Sequence, residues 1–196
     1  MARTKAFDRL QALRKASEVF HRLGYEATSL EDLVQEMGIA RQSLYDTFGD
    51  KHRLFLEALA EYQARAVVGV QECLARSPSV REGVAKLLLR IADEDLEERQ
   101  RGCMVVNVTA ELAPRDPEVA SLLGANQRAL EMALRGALEM AKDRGEVAKD
   151  RDTRSLARFL ISTLHGLRIS AKADPDPERL REIAEVALQA VFVIKK

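Results

Sequence analysis

Apolar residues recur every three or four positions along most of this chain, and no stretch alternates convincingly as a strand would. Leu10, Leu13, Ala16, Phe20 and Leu23 mark one side of a helix over Ala6 to Leu23, which Gly24 ends. Thr28-Ser29-Leu30-Glu31 has capping-box spacing, with the Thr28 hydroxyl at the helix start and Glu31 reaching back. The helix it opens is short, carries Leu30, Leu33, Val34 and Met37 on its apolar side, and stops at Gly38. A third helix runs from Arg41 to Thr47 and closes at Phe48-Gly49. A long fourth starts near Lys51 and continues through Leu54, Phe55, Leu59, Tyr62, Val67 and Val70 to about Arg76. Ser77-Pro78 then breaks the pattern, proline being favourable at a helix start. Further helices are expected over Val80 to about Glu98, Cys103 to Leu112, Glu118 to Arg144, Arg154 to Lys172 and Pro177 to Ile194. Glycine and proline punctuate them at Gly102, Pro114, Pro117, Gly145 and Asp174-Pro-Asp-Pro177. The pattern is all-α, with about nine helices.

The third helix is the odd one. If Leu44 faces the core, Phe48 lies four residues on, on the same side. Gln42, Ser43, Tyr45 and Asp46 then spread over the outer arc, with Arg41 and Thr47 at its edges. Two short helices joined by Gly38-Ile39-Ala40 form a helix-turn-helix, whose second helix fits the DNA major groove. The outward chemistry suits that groove: arginine pairs with guanine, glutamine with adenine, and threonine methyls meet thymine methyls. Tyr45 and Lys51 are placed for phosphates, which fix register without reading sequence. Thr28 and the amides of its helix start offer a second phosphate site. Asp46 runs against this picture, because a carboxylate is repelled by phosphates unless it takes a cytosine amino proton. The plain alternative is a solvated face on a small helical subdomain.

Composition narrows the partners little. The 196 residues carry 31 basic and 31 acidic side chains, so an argument for DNA has to be local. Arg3, Lys5 and Arg9 supply a basic N-terminal arm. Cys73 and Cys103 have neither metal-type spacing nor the density of a disulfide framework. His21, His52 and His165 lie far apart, with no nucleophile elbow, metal-spaced cluster or glycine-rich phosphate loop nearby. An enzyme, a metal and a cofactor therefore find no support. No apolar run approaches a membrane span, and MARTKAFDRL has no signal-peptide core, so a reducing cytoplasm is the expected location.

One stretch is more specific than a generic helix-turn-helix. AFDRLQALRKASEVFHRLGYEATSLEDLVQEMGIARQSLYDTFGDKHRLFLEAL resembles the N-terminal part of the TetR family of bacterial transcriptional regulators. The likeness rests on Phe20, Gly24-Tyr25, Ala27-Thr28, Leu33, Gly38-Ile39, Ser43-Leu44-Tyr45, Phe48, Lys51 and Leu54-Phe55. It implies a DNA-binding domain over 1–50 and an effector-binding and dimerisation domain over 51–196. By position it implies DNA contacts at Thr28, Arg41, Gln42, Ser43, Tyr45, Thr47 and Lys51, in a double-stranded operator. Where Asp46 stands the family often has His or Tyr.

The last two helices carry stripes, Leu156, Phe159, Leu160, Thr163, Leu164 and Leu167 on one and Leu180, Ile183, Val186, Ala187, Ala190, Val191 and Ile194 on the other. The resemblance implies that they pair with their symmetry mates in a homodimer; read alone, the stripes fit a monomer core equally. Arg101 to Val119 resembles a Gly-Cys-x-x-x-Asn segment of one group of these regulators. Cys103 would then stand in the first turn of a helix beside Arg101, where a thiolate is favoured and a thiol can sense electrophiles or oxidants. A small buried hydrophobe is the simpler role for it. A small, mostly apolar effector is otherwise expected, with Met104, Asn107, Val108, Met132, Met140, Phe159 and Thr163 as candidate lining residues. His165 is a core or interface histidine, or touches that effector. The resemblance thus implies a repressor released by its ligand; the alternatives are a thiol-sensing repressor and a helical interaction module without DNA.

Overall fold

The computed structural model describes residues 7–193, which form ten helices and no strand. Arg3, Lys5, Ala6 and Ile194 lie outside the described residues. α1 (Arg9–Leu23) starts at Asp8, whose carboxylate accepts from the amides of Leu10 and Gln11 at 2.8 and 3.1 Å. Ala12, Leu13, Ala16, Val19 and Phe20 form its buried side, while Leu10 and Leu23 at the two ends of the expected stripe are exposed.

α2 (Leu30–Met37) is capped one residue later than expected. The Ser29 hydroxyl accepts from the Asp32 amide at 3.1 Å, and the Asp32 carboxylate accepts from the Ser29 amide at 2.9 Å. Thr28 is 2% exposed and turns its hydroxyl back to the Gly24 carbonyl at 2.6 Å, so it ties the α1–α2 turn instead of capping. Gly38 ends α2 in the left-handed region at φ 68°, and the amides of Gly38 and Ile39 both reach the Val34 carbonyl. α3 (Arg41–Phe48) and α4 (Lys51–Arg76) follow after short turns.

The stretch over 80–98 is two helices, α5 (Val80–Asp93) and α6 (Leu96–Arg101). Asp95 caps α6 by accepting from the Glu98 amide at 2.8 Å, and Arg99 donates to the carbonyls of Ala92 and Glu94 that α5 leaves open. The remaining elements are α7 (Met104–Glu111), α8 (Pro117–Asp143), α9 (Thr153–Ala173) and α10 (Pro177–Val191).

Packing divides the chain into two compact units. One comprises residues 1–65 with 103–123, and the other 66–102 with 124–196. In the first, α1 to α3 and the start of α4 close over α7 around Phe20, Leu33, Leu44, Phe55, Met104 and Val108. Phe20, Leu33, Leu44 and Phe55 are almost wholly buried, each stabilising the unit by about 1.5–3 kcal/mol. In the second, α5, α9 and α10 pack around Ile91, Leu138, Ile161, Leu167 and Leu180. Arg168 on α9 there forms a two-pronged, largely shielded ion pair with Glu94.

Candidate nucleic-acid interface

α3 is anchored by the two residues that its spacing selects. Leu44 is fully buried and Phe48 nearly so, which fixes the rotation of the helix. Arg41, Gln42, Tyr45 and Asp46 are exposed as a consequence, and Ser43 and Thr47 are half-exposed. Two pairs one turn apart organise the outer face. The Arg41 guanidinium lies over the Tyr45 ring, 5.9 Å from its centroid. The Gln42 Nε2 donates to the Asp46 carboxylate at 2.8 Å. This eight-residue helix therefore presents one cation, one aromatic ring, an amide and a carboxylate from a rigid base.

Beside it, the turn from Gly24 to Glu26 is gripped from two sides. The Lys51 ammonium sits 4.5 Å above the Tyr25 ring and donates to the Glu26 carbonyl at 3.5 Å. From the α7 side, Glu111 accepts from the Glu26 amide at 3.2 Å. His52 contacts the Asp116 carboxylate through Nε2 at 2.7 Å. A carboxylate only accepts, so that ring nitrogen carries the proton. The bond from His52 holds the Asp116 carboxyl below the ordinary carboxylate range, helped by the Val119 and Glu118 amides that it caps. Burial raises the Tyr25 phenol, and the charges of Glu26, Asp50 and Asp116 add to this.

The α2 start is less open to a phosphate than its sequence suggests. Its capping box already engages the amides of Ser29 and Asp32, and hydrogen bonds from Ser29 hold the Asp32 carboxyl below its usual range. The amides of Leu30 and Glu31 stand outside the box. Thr28 borders this start with its side chain buried.

The candidate effector residues fall in different surroundings. Met104 and Val108 are packed into the core of the first unit, Asn107 is half-buried on α7, and Cys103 forms the N-cap of α7. Cys103 is half-buried, with the Tyr62 hydroxyl 3.9 Å from its sulfur. In the second unit, Met132 and Met140 are exposed, whereas Phe159 and Thr163 line a shallow groove of about 440 Å³ with Ile183 and Val186. His165 is half-buried, and desolvation lowers its pKa.

Several polar residues escaped the sequence reading. Gln63 is 5% exposed and its Nε2 finds no partner among the described residues. Its place between Leu59 and Val70 on one helical stripe was a legible signal. Asn126 on α8 is also buried, with Oδ1 lacking a partner among the described residues. Glu111 and Asp116 carried no local signal of the contacts that they make.

Comparison with known proteins agrees with this geometry. The family described as bacterial regulatory proteins, tetR family, matches residues 12–58, and that described as tetracyclin repressor-like, C-terminal domain, matches residues 89–187. The chain is 38% identical over 193 residues to an HTH-type transcriptional regulator, YezE, of Bacillus subtilis (strain 168), spanning 97% of this chain and 100% of that one. It is 33% identical over 189 residues to the HTH-type transcriptional repressor ComR of Escherichia coli (strain K12), spanning 95% of this chain and 90% of ComR. Among solved structures it resembles a cysteine mutant of the TetR family regulator CifR complexed with 26-bp double-strand operator DNA. That match has a TM-score of 0.82 and 36% identity, over 97% of this chain and all of that one. From helix-turn-helix to C-terminal helices, the chain belongs to the TetR family of bacterial transcriptional regulators.

Proposed function

We propose that this DNA-binding regulator is a homodimeric repressor of the cytoplasm, which binds an inverted-repeat operator and leaves it when a small-molecule effector binds. The carrying observation is the outer face of α3, four exposed groups suited to base edges and phosphates on a helix locked by Leu44 and Phe48. The operator complex of CifR supports this reading. Residues 1–50 read DNA through Arg41, Gln42, Ser43 and Thr47, with Tyr45, the adjoining Lys51 and the helix start beside Thr28 on phosphates. Residues 51–196 bind the effector and dimerise. One short helix contacts few base pairs, so two copies are needed for a long site.

The exposed apolar residues of α9 and α10 support dimerisation there. Leu156, Leu160, Leu167, Leu180, Ala187 and Val191 fill the second unit's own core, which leaves Phe159, Ile183 and Val186 outward with small Ser162 and Gly166 between them. The effector then shifts the population toward a dimer whose two α3 helices no longer fit successive grooves, and DNA weakens effector binding by the same factor. Selection of duplexes from a randomised pool by the purified protein tests the reading. An inverted repeat should be enriched; no enrichment by a folded dimer would sink it.

A second reading of the signal is favoured by the Tyr62 hydroxyl at the half-buried Cys103 sulfur. Here an electrophile adds to the thiol and releases the repressor from DNA. An alkylating electrophile should then release the wild type and spare Cys103→Ser. Equal release of both would exclude the thiol.

A further inference from the structure

Asp46 is the residue on α3 that a DNA-reading helix does not obviously want, and it has no cationic partner among the described residues. What it holds is the Gln42 amide one turn away. An ionised carboxylate only accepts hydrogen bonds, so the side of Gln42 facing it must be the NH2 and not the carbonyl. This chemistry fixes the orientation of the amide. Gln42 therefore keeps Oε1 and one N–H for other partners, and Asp46 keeps its second oxygen.

We infer that Asp46 is a specificity-determining residue, which orients Gln42 and forms with it an acceptor-rich pair that selects a base with an exocyclic amino group. The inference rests on the proposal that α3 lies in the major groove. Adenine N6 and cytosine N4 present donors there, whereas guanine O6 and N7 and thymine O4 present acceptors. Gln42 Oε1 and the free Asp46 oxygen meet the former with hydrogen bonds and the latter with paired acceptors left unsatisfied. If the base is adenine, the remaining Gln42 N–H serves its N7; if cytosine, the carboxylate takes N4 directly. Arg41, held over Tyr45, is a donor-only group and suits guanine at a neighbouring position. The carboxylate also repels phosphates, which lowers affinity for every duplex alike and leaves discrimination to the base contacts.

Asp46 is exposed, so Asp46→Asn should fold and melt like the wild type. Its amide no longer dictates which end of Gln42 faces it, and it can itself donate. Duplex selection by wild type, Asp46→Asn, Gln42→Ala and the double variant separates the outcomes. We expect wild type to enrich a single base pair at one position of each half-site, and whether that pair is A·T or G·C decides between adenine and cytosine. In Asp46→Asn that preference should fall by about tenfold, while affinity for random duplex rises. Adding Gln42→Ala to Asp46→Asn should then change that position little, because the two act as one unit. An unchanged preference at every position of the half-site in Asp46→Asn would overturn the inference and leave the DNA-reading proposal standing. Failure of the folded wild type to enrich any repeat would overturn both.

Discussion

α3 follows the usual rule of burial, and the α9–α10 face departs from it. α3 buries two residues and exposes an ordered polar set; α9 and α10 bury a full core and still expose Phe159, Ile183 and Val186. Exposed polar side chains are the normal state of a helix surface, so α3 alone would pass for a solvated helix. Exposed apolar side chains gathered on two adjacent helices are less ordinary and suit the partner surface proposed there. The first region becomes informative through which polar groups it fixes in place, the second through apolar area that its own fold does not use.

This contrast can be broken from the partner side with the largest effect. Val186 is 65% exposed, so Val186→Arg should leave the subunit folded while placing a charge in the proposed dimer contact. Sedimentation should report a folded monomer, and operator affinity should fall on the order of a hundredfold, as paired half-site binding is lost. An intact dimer with unchanged affinity would return α9 and α10 to the role of a monomer surface. The smaller effect comes from the α3 side. Arg41→Ala should weaken operator binding by about 1–3 kcal/mol and relax the base preference at one position. Lys51→Ala should weaken all duplexes alike and reduce the salt slope by about one. Equal losses with unchanged base preference in both variants would dissolve the division between reading and positioning.

The two regions were also unequally legible. Leu44 and Phe48 are four apart in a short segment bounded by Gly38 and Gly49, so one face was forced and the outer set followed from it. The start of α2 was ambiguous for a chemical reason. Thr28 with Glu31 and Ser29 with Asp32 have the same spacing, and only the burial of Thr28 against the Gly24 carbonyl selects the second. The break between α5 and α6 had a readable sign, Asp95 three residues before Glu98, hidden by apolar residues on both sides. On α9 and α10 the stripes were visible, but periodicity does not say whether an apolar face meets its own core or another surface. His52 and Asp116 stand 64 positions apart, and no local pattern joins two such residues.

The grip on the α1–α2 turn bears on how such chains are inherited and recombined. Glu111 holds the Glu26 amide, Asp116 holds His52, and Met104, Val105, Val108 and Leu112 complete the core beneath Phe20 and Leu44. A crossover between two related regulators at residue 50 would carry α3 away from the segment over 103–123 that supports it. Exchange of operator preference by such a crossover would strip apolar partners and the Glu111 contact from the transplanted part, while His52 and Asp116 would stay together. The transferable object is a pair of separated sequence blocks, and substitutions in one constrain what is accepted in the other.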